Sequence, residues 1–137
     1  MKPTFPAAAK KHTPEGAEAF VRYYLELSAY AWSKPESGDL EPLADSSCGS
    51  CDYLETKAVE LIKARERFAS GVISVGEVRH VVTADKTIVV VVIDQLRSDR
   101  VNGLGHVTFA QLAEPGVQRS VVLEWRSSGW TVLAIGE

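Results

Sequence analysis

Apolar residues return every three or four positions from Phe20 through Tyr23, Tyr24, Leu27, Tyr30 and Ala31, which predicts an amphipathic helix with a broad aromatic face. Thr13 is placed to cap it, Pro14 suits the first helical position and Glu15 puts negative charge in the first turn. Ser33 to Asp39, containing Pro35 and Gly38, ends the helix. A short second element is expected around Leu40 to Leu43, then a polar turn from Ser46 to Asp52. A third helix is predicted from about Cys51 to Ala69, its buried side marked by Leu54, Ala58, Leu61, Ile62, Arg65 and Phe68, with Gly71 as its terminator.

After Gly71 the period becomes strand-like, and Val, Ile and Thr dominate. Strands are expected near residues 72 to 82, 87 to 97, 104 to 113, 118 to 126 and 130 to 136, all antiparallel. Ala84-Asp85-Lys86, Asn102-Gly103, Pro115-Gly116 and Ser127-Ser128-Gly129 read as the turns between them. The run Ile88 to Ile93 does not alternate, which implies burial on both faces. Helices would cover one face; a second copy of the chain, in a homodimer through the outer sheet face, is the simplest cover for the other, and an extra strand or a long loop is the alternative. The pattern therefore gives an α+β domain, N-terminal helices packed on a curved antiparallel sheet of four to five strands. Residues 1-12 show no period and read as a flexible leader ahead of a single domain spanning 13-137.

Composition narrows the function classes. The chain has 137 residues, enough for one core without metals or many disulfides. A formal net charge of -3 with interspersed signs gives no basic stripe for phosphates, so nucleic acid is not an expected partner. Lys63, Arg65 and Arg67 share their segment with Glu60 and Glu66, the pattern of a mixed solvated face. No stretch reaches the roughly 18 apolar residues of a membrane span, and the leader lacks the apolar core of a signal peptide.

The run Thr13-Pro14-Glu15-Gly16-Ala17-Glu18-Ala19-Phe20-Val21-Arg22-Tyr23-Tyr24, then Tyr30-Ala31, Gly38-Asp39 and Cys48-Gly49-Ser50-Cys51, resembles an uncharacterised family of small actinobacterial lipoproteins. Aromatic-faced helices on a bent sheet resemble the nuclear transport factor 2-like, or cystatin-like, cone. These resemblances imply export, attachment to the outer face of the cell membrane through a lipid-bearing Cys upstream of this chain, and no assigned activity.

The chemistry is sparse. Cys48 and Cys51 have three readings: a thiol-exchange pair at a helix N-terminus, half of a zinc site, or a structural disulfide closing a four-residue loop. Thiol exchange expects the motif after a parallel strand, and zinc would need further ligands from His12, His80 and His106, which are not spaced as a pair. The disulfide is the favoured reading, and export suits it. No cofactor or metal is expected. Tyr23, Tyr24, Tyr30, Trp32, His80, His106, Phe109 and Trp125 are candidate pocket residues for an unknown protein partner or a small hydrophobic ligand. His80, Asp94, His106 and Glu124 are the side chains a cone-fold isomerase or cyclase would use as a base, but none pairs with another in sequence, and strand parity turns Glu124 outward if Val121, Leu123 and Trp125 face the core. A non-catalytic binding or interaction domain is the expected function, with the isomerase or cyclase as the alternative.

Overall fold

The protein is described by a computed structural model over residues 2–83 and 86–136, apart from the side chain of Val82. Ala84 and Asp85 of one expected turn lie outside the described residues. Helix α1 spans Pro14–Ser33 and helix α2 spans Gly49–Ala64. Strands β1 (Arg67–Phe68), β2 (Ile73–Val82), β3 (Thr87–Gln95), β4 (Ser98–Val101), β5 (Val107–Gln111), β6 (Glu114–Arg126) and β7 (Gly129–Gly136) follow.

α1 starts where the sequence signals it: Thr13 Oγ1 accepts from Gly16 N at 2.9 Å, and Pro14 occupies the first turn. Its inner face is Ala17, Phe20, Val21, Tyr24, Leu25, Leu27 and Ala31. The element expected at Leu40 to Leu43 is one turn of 3-10 helix, Glu41–Leu43. α2 stops earlier than periodicity predicts. Arg65, not Gly71, ends it in the left-handed conformation, with φ 55°, and Glu66 N donates back to Leu61 O at 2.9 Å. Phe68 is buried, but from strand β1 rather than from the helix, and Ile62 is exposed.

The strands form two antiparallel sheets instead of one. β2-β3-β6-β7 make the larger, and β1-β4-β5 the smaller. β3 and β4 are the near and far parts of one bent ribbon, with β5 and β6 returning beside them. Glutamines stitch the bend: Gln111 Nε2 donates to Val72 O and Leu96 O, and Gln95 Nε2 to Leu112 O. Pro115-Gly116, expected as a turn, lies inside β6. Proline has no N–H for the ladder and Gly116 takes φ +70°, so the register slips opposite Asp94, whose Oδ1 accepts from Gly116 N at 2.8 Å. The residues make a bulge that helps redirect the strand from one sheet to the other. Asn102 does organise the β4–β5 turn, its Oδ1 accepting from Leu104 N and His106 N.

Val89, Val91, Val121, Leu123 and Val132 of the larger sheet face the helices and are fully buried. Within one chain β3 is buried on its inner face alone: Ile88, Val90 and Val92 alternate with the buried valines and stay half-exposed on the outer face. Alternation is present in the packing but invisible in the sequence, because both faces carry aliphatics.

The leader is not loose. Phe5 packs edge-on against Phe20 and Tyr23, Ala9 is buried, and Trp130 Nε1 donates to Lys11 O at 3.0 Å. Isolated apolar residues fill a notch on the fold, a form of packing that has no period to detect. Gly16 permits the contact: a Cβ there would lie 2.2 Å from Lys11 O and 2.7 Å from Ala8 O.

Candidate functional site

α1 lies over β2 and β3, and α2 reaches β7, so the two helices diverge above the sheet. Between them opens a cleft of about 520 Å³, within the size range of small-molecule sites. Leu25, Ala29 and Trp32 of α1 form one wall, and Gly49, Ser50, Tyr53 and Leu54 of α2 the other. Val72, Ile73, Ile93, Val117 and Ile135 floor it from the sheet side. Trp32 is fixed in place: its Nε1 donates to Leu54 O at 3.1 Å, its ring stacks on Phe68 at 5.8 Å, and Tyr53 meets it edge-on at 6.2 Å.

Polar groups in the lining are mostly spent on the protein itself. Ser28 Oγ donates to Tyr24 O, Ser50 Oγ to Ile135 O and Gln95 Nε2 to Leu112 O. Two charged residues remain, Glu114 and Arg119. Arg119 pairs across the ladder with Val91, whose side chain is fully buried under the helices, so it stands on the inner face. Its Nη1 donates to Gln118 O at 3.1 Å, and among the described residues it forms no ion pair.

Of the pocket residues proposed from sequence, Trp32 alone lines this cleft. Tyr24 is core, its hydroxyl buried without a partner among the described residues, and burial followed by the charge of Glu55 pushes its phenol pKa up. Tyr23 packs on Phe5, and Tyr30 lines a shallow recess on the far side of α1. Phe109 stands 57% exposed on the smaller sheet. Trp125 stacks on His12 at 4.7 Å, with Trp130 edge-on to both. His80 is on β2, its Nδ1 2.5 Å from Glu18 Oε2 while its backbone N–H donates to the same oxygen. His106 is exposed beside the β4–β5 turn, Asp94 holds the β6 bulge, and Glu124 pairs with Arg126 on the surface. The four candidate bases are thus scattered over the molecule. Glu114, Val117 and Arg119 escaped notice, although the parity that turned Glu124 outward equally turns Arg119 inward with Val121 and Leu123.

Cys48 and Cys51 form a disulfide at the start of α2, both nearly fully buried. Cys48 Sγ accepts from Cys51 N at 3.2 Å and so caps the helix. Beside it Asp45 is held ionised with its pKa lowered to about 2, first by the Ser47 hydroxyl and N–H, then by Arg126.

Two helices over a concave antiparallel sheet, with an apolar cleft open between them, define a small α+β cleft domain. The crystal structure of the intermembrane space region of the chloroplast protein ARC6 has a similar fold, with a TM-score of 0.63 and 12% identity over 92% of this chain and 96% of that one. The chain belongs to DUF6318, a family of unknown function, which it matches over residues 2–135. No curated protein matches it.

Proposed function

We propose that this is a non-catalytic binding domain of the nuclear transport factor 2-like class, carried by an exported actinobacterial protein that a lipid anchor outside this chain ties to the membrane. The observation that carries the reading is the open apolar cleft of about 520 Å³, a volume suited to a small hydrophobic ligand. The buried disulfide suits an oxidising compartment, and among the described residues no helix is long and apolar enough to cross a membrane. A cone isomerase would need a base in the cleft. Among the described residues the lining offers no histidine, and its one carboxylate, Glu114, is exposed to solvent, so binding has more support than catalysis.

Titration with a neutral aliphatic alcohol tests this reading, with the Trp32 indole resonance as the local readout. Binding should shift that resonance. Val117→Trp, which fills the floor of the cleft, should abolish the response while the protein stays folded. If Val117→Trp binds as well as the parent chain, the ligand sits elsewhere and the proposal fails.

A second copy remains the proposed cover for the outer sheet face. Register aligns Val81, Ile88, Val122 and Ala134 in one apolar row across all four strands, and Val81 is 45% exposed.

A further inference from the structure

We infer that the cleft selects an amphiphile with an aliphatic body and a single carboxylate head, and that Arg119 holds the head. The inference rests on the cleft being a binding site and adds the class of ligand. It starts from the polar atoms of the lining. The Trp32 indole N–H, the hydroxyls of Ser28 and Ser50 and the Gln95 amide each already donate to a backbone carbonyl of the protein. Their donors are largely used within the protein, so they offer an anionic head little.

Arg119 is different. It stands among Val117, Ile135 and the first turn of α2, with only a backbone carbonyl engaged. Strand parity places an arginine inward, where an apolar residue would have packed, so its aliphatic stem extends the cleft wall and its guanidinium keeps donors for a planar, two-oxygen acceptor. Its end of the cleft is also defined. Arg119 is two residues along β6 from Val121, the ladder partner of Ile135, and Ile135 O accepts the Ser50 hydroxyl from the α2 N-terminus. The partial positive charge of that helix end therefore lies on the same side. Glu114, the other charged residue of the lining among those described, pairs with Gln95 toward the far end of the same strand. The bulge at Pro115-Gly116 lies between them, and their ladder partners Val91 and Gln95 are four residues apart on β3, roughly 13 Å at about 3.3 Å per residue. That spacing leaves the Arg119 end positive and the body of the cleft uncharged, the polarity a fatty-acid-like carboxylate requires.

A head-group series tests the inference on the intact chain. Dodecanoate, dodecanol and dodecyltrimethylammonium are titrated below their micelle concentrations, with calorimetry for affinity and the Trp32 indole resonance for location. Dodecanoate should bind at least roughly tenfold tighter than dodecanol, the worth of one charge-assisted hydrogen bond. Arg119→Gln should remove that preference, lowering dodecanoate affinity by at least roughly tenfold more than it lowers dodecanol affinity, and Arg119→Lys should keep part of it. Equal binding of acid and alcohol, or a preference for the ammonium head, overturns the carboxylate assignment and leaves the cleft reading standing. Preference retained in Arg119→Gln overturns the role of Arg119. Failure of all three compounds to move Trp32 overturns both the inference and the binding reading beneath it.

Discussion

Gly16 shows how a single residue joins two parts of the molecule that the sequence presents as unrelated. Within a helix, alanine is normally preferred to glycine by roughly 0.5–1 kcal/mol. Here the added Cβ would meet the carbonyl oxygens of Lys11 and Ala8 at 2.2 and 2.7 Å, and backbone atoms cannot swing aside as a side-chain tip can. Gly16→Ala should therefore destabilise, by about 1–3 kcal/mol as overpacking does, by lifting the leader from α1. The loss should appear as a lower urea midpoint together with a shift of the Trp130 indole resonance, because Trp130 Nε1 donates to Lys11 O. A variant more stable than the parent chain would mean that the leader does not hold this position. Thr13, Pro14 and Glu15 were readable as a helix start because capping is local chemistry. Gly16 was not, since its reason comes from a carbonyl that arrives only when the leader folds back. The disulfide was readable as one of three alternatives, as its spacing permits each of them.

At the scale of elements, the two helices and the longer strands were legible, while the short strands β1 and β4 and several element ends were not. The third expected helix ran on to Ala69 because Arg65 and Phe68 continue its period, yet the chain turns at Arg65 and delivers Phe68 from a strand instead. What holds that turn is an ion cluster of residues distant in sequence. Arg100 of β4 donates to Glu66 at 2.6 Å and to Glu60 of α2 at 2.9 Å, and Thr108 of β5 donates to Glu66 at 2.9 Å. Thr108 first, then Arg100, lower the Glu66 pKa below its ordinary 4.5. The sign follows directly: a carboxylate with a depressed folded-state pKa adds stability above its unfolded value and loses it as pH falls through the folded one. Glu66→Gln should thus be less stable than the parent at pH 7, with the gap closing as pH falls from about 4.5 toward 3. Urea midpoints of the two proteins across that range measure it. An equal gap at pH 3 would mean that Glu66 contributes through packing rather than charge.

For the whole molecule, the unbroken aliphatic strand is buried on one face within a single chain and half-exposed on the other, which bears on assembly. Ile88, Val90 and Val92 are half-exposed, Arg79 shares their face toward the β2 edge, and Gln118 and Ser120 pair with Val92 and Val90. The face is an aliphatic stripe with charge at its margin. Four strands at about 4.8 Å and some eight residues at about 3.3 Å cover roughly 500 Å² in projection. Accessible surface is larger than its projection, so the face is at most comparable with the roughly 800 Å² per partner of a standard interface, and a face-to-face dimer should be concentration-dependent. Two copies related by a two-fold axis would lay the stripe on itself and keep each Arg79 at the rim. Sedimentation across micromolar concentrations should show mass rising from the 14.9 kDa chain toward twice that value. Val90→Lys places a charge in the middle of the stripe without touching the inner core, and should hold the protein at the single-chain mass with its far-ultraviolet circular dichroism unchanged. A single-chain mass for the parent at every concentration removes the dimer. An unaltered dimer in Val90→Lys moves the interface off this face, where the next candidate is the exposed edge of β5 with Val107 and Phe109.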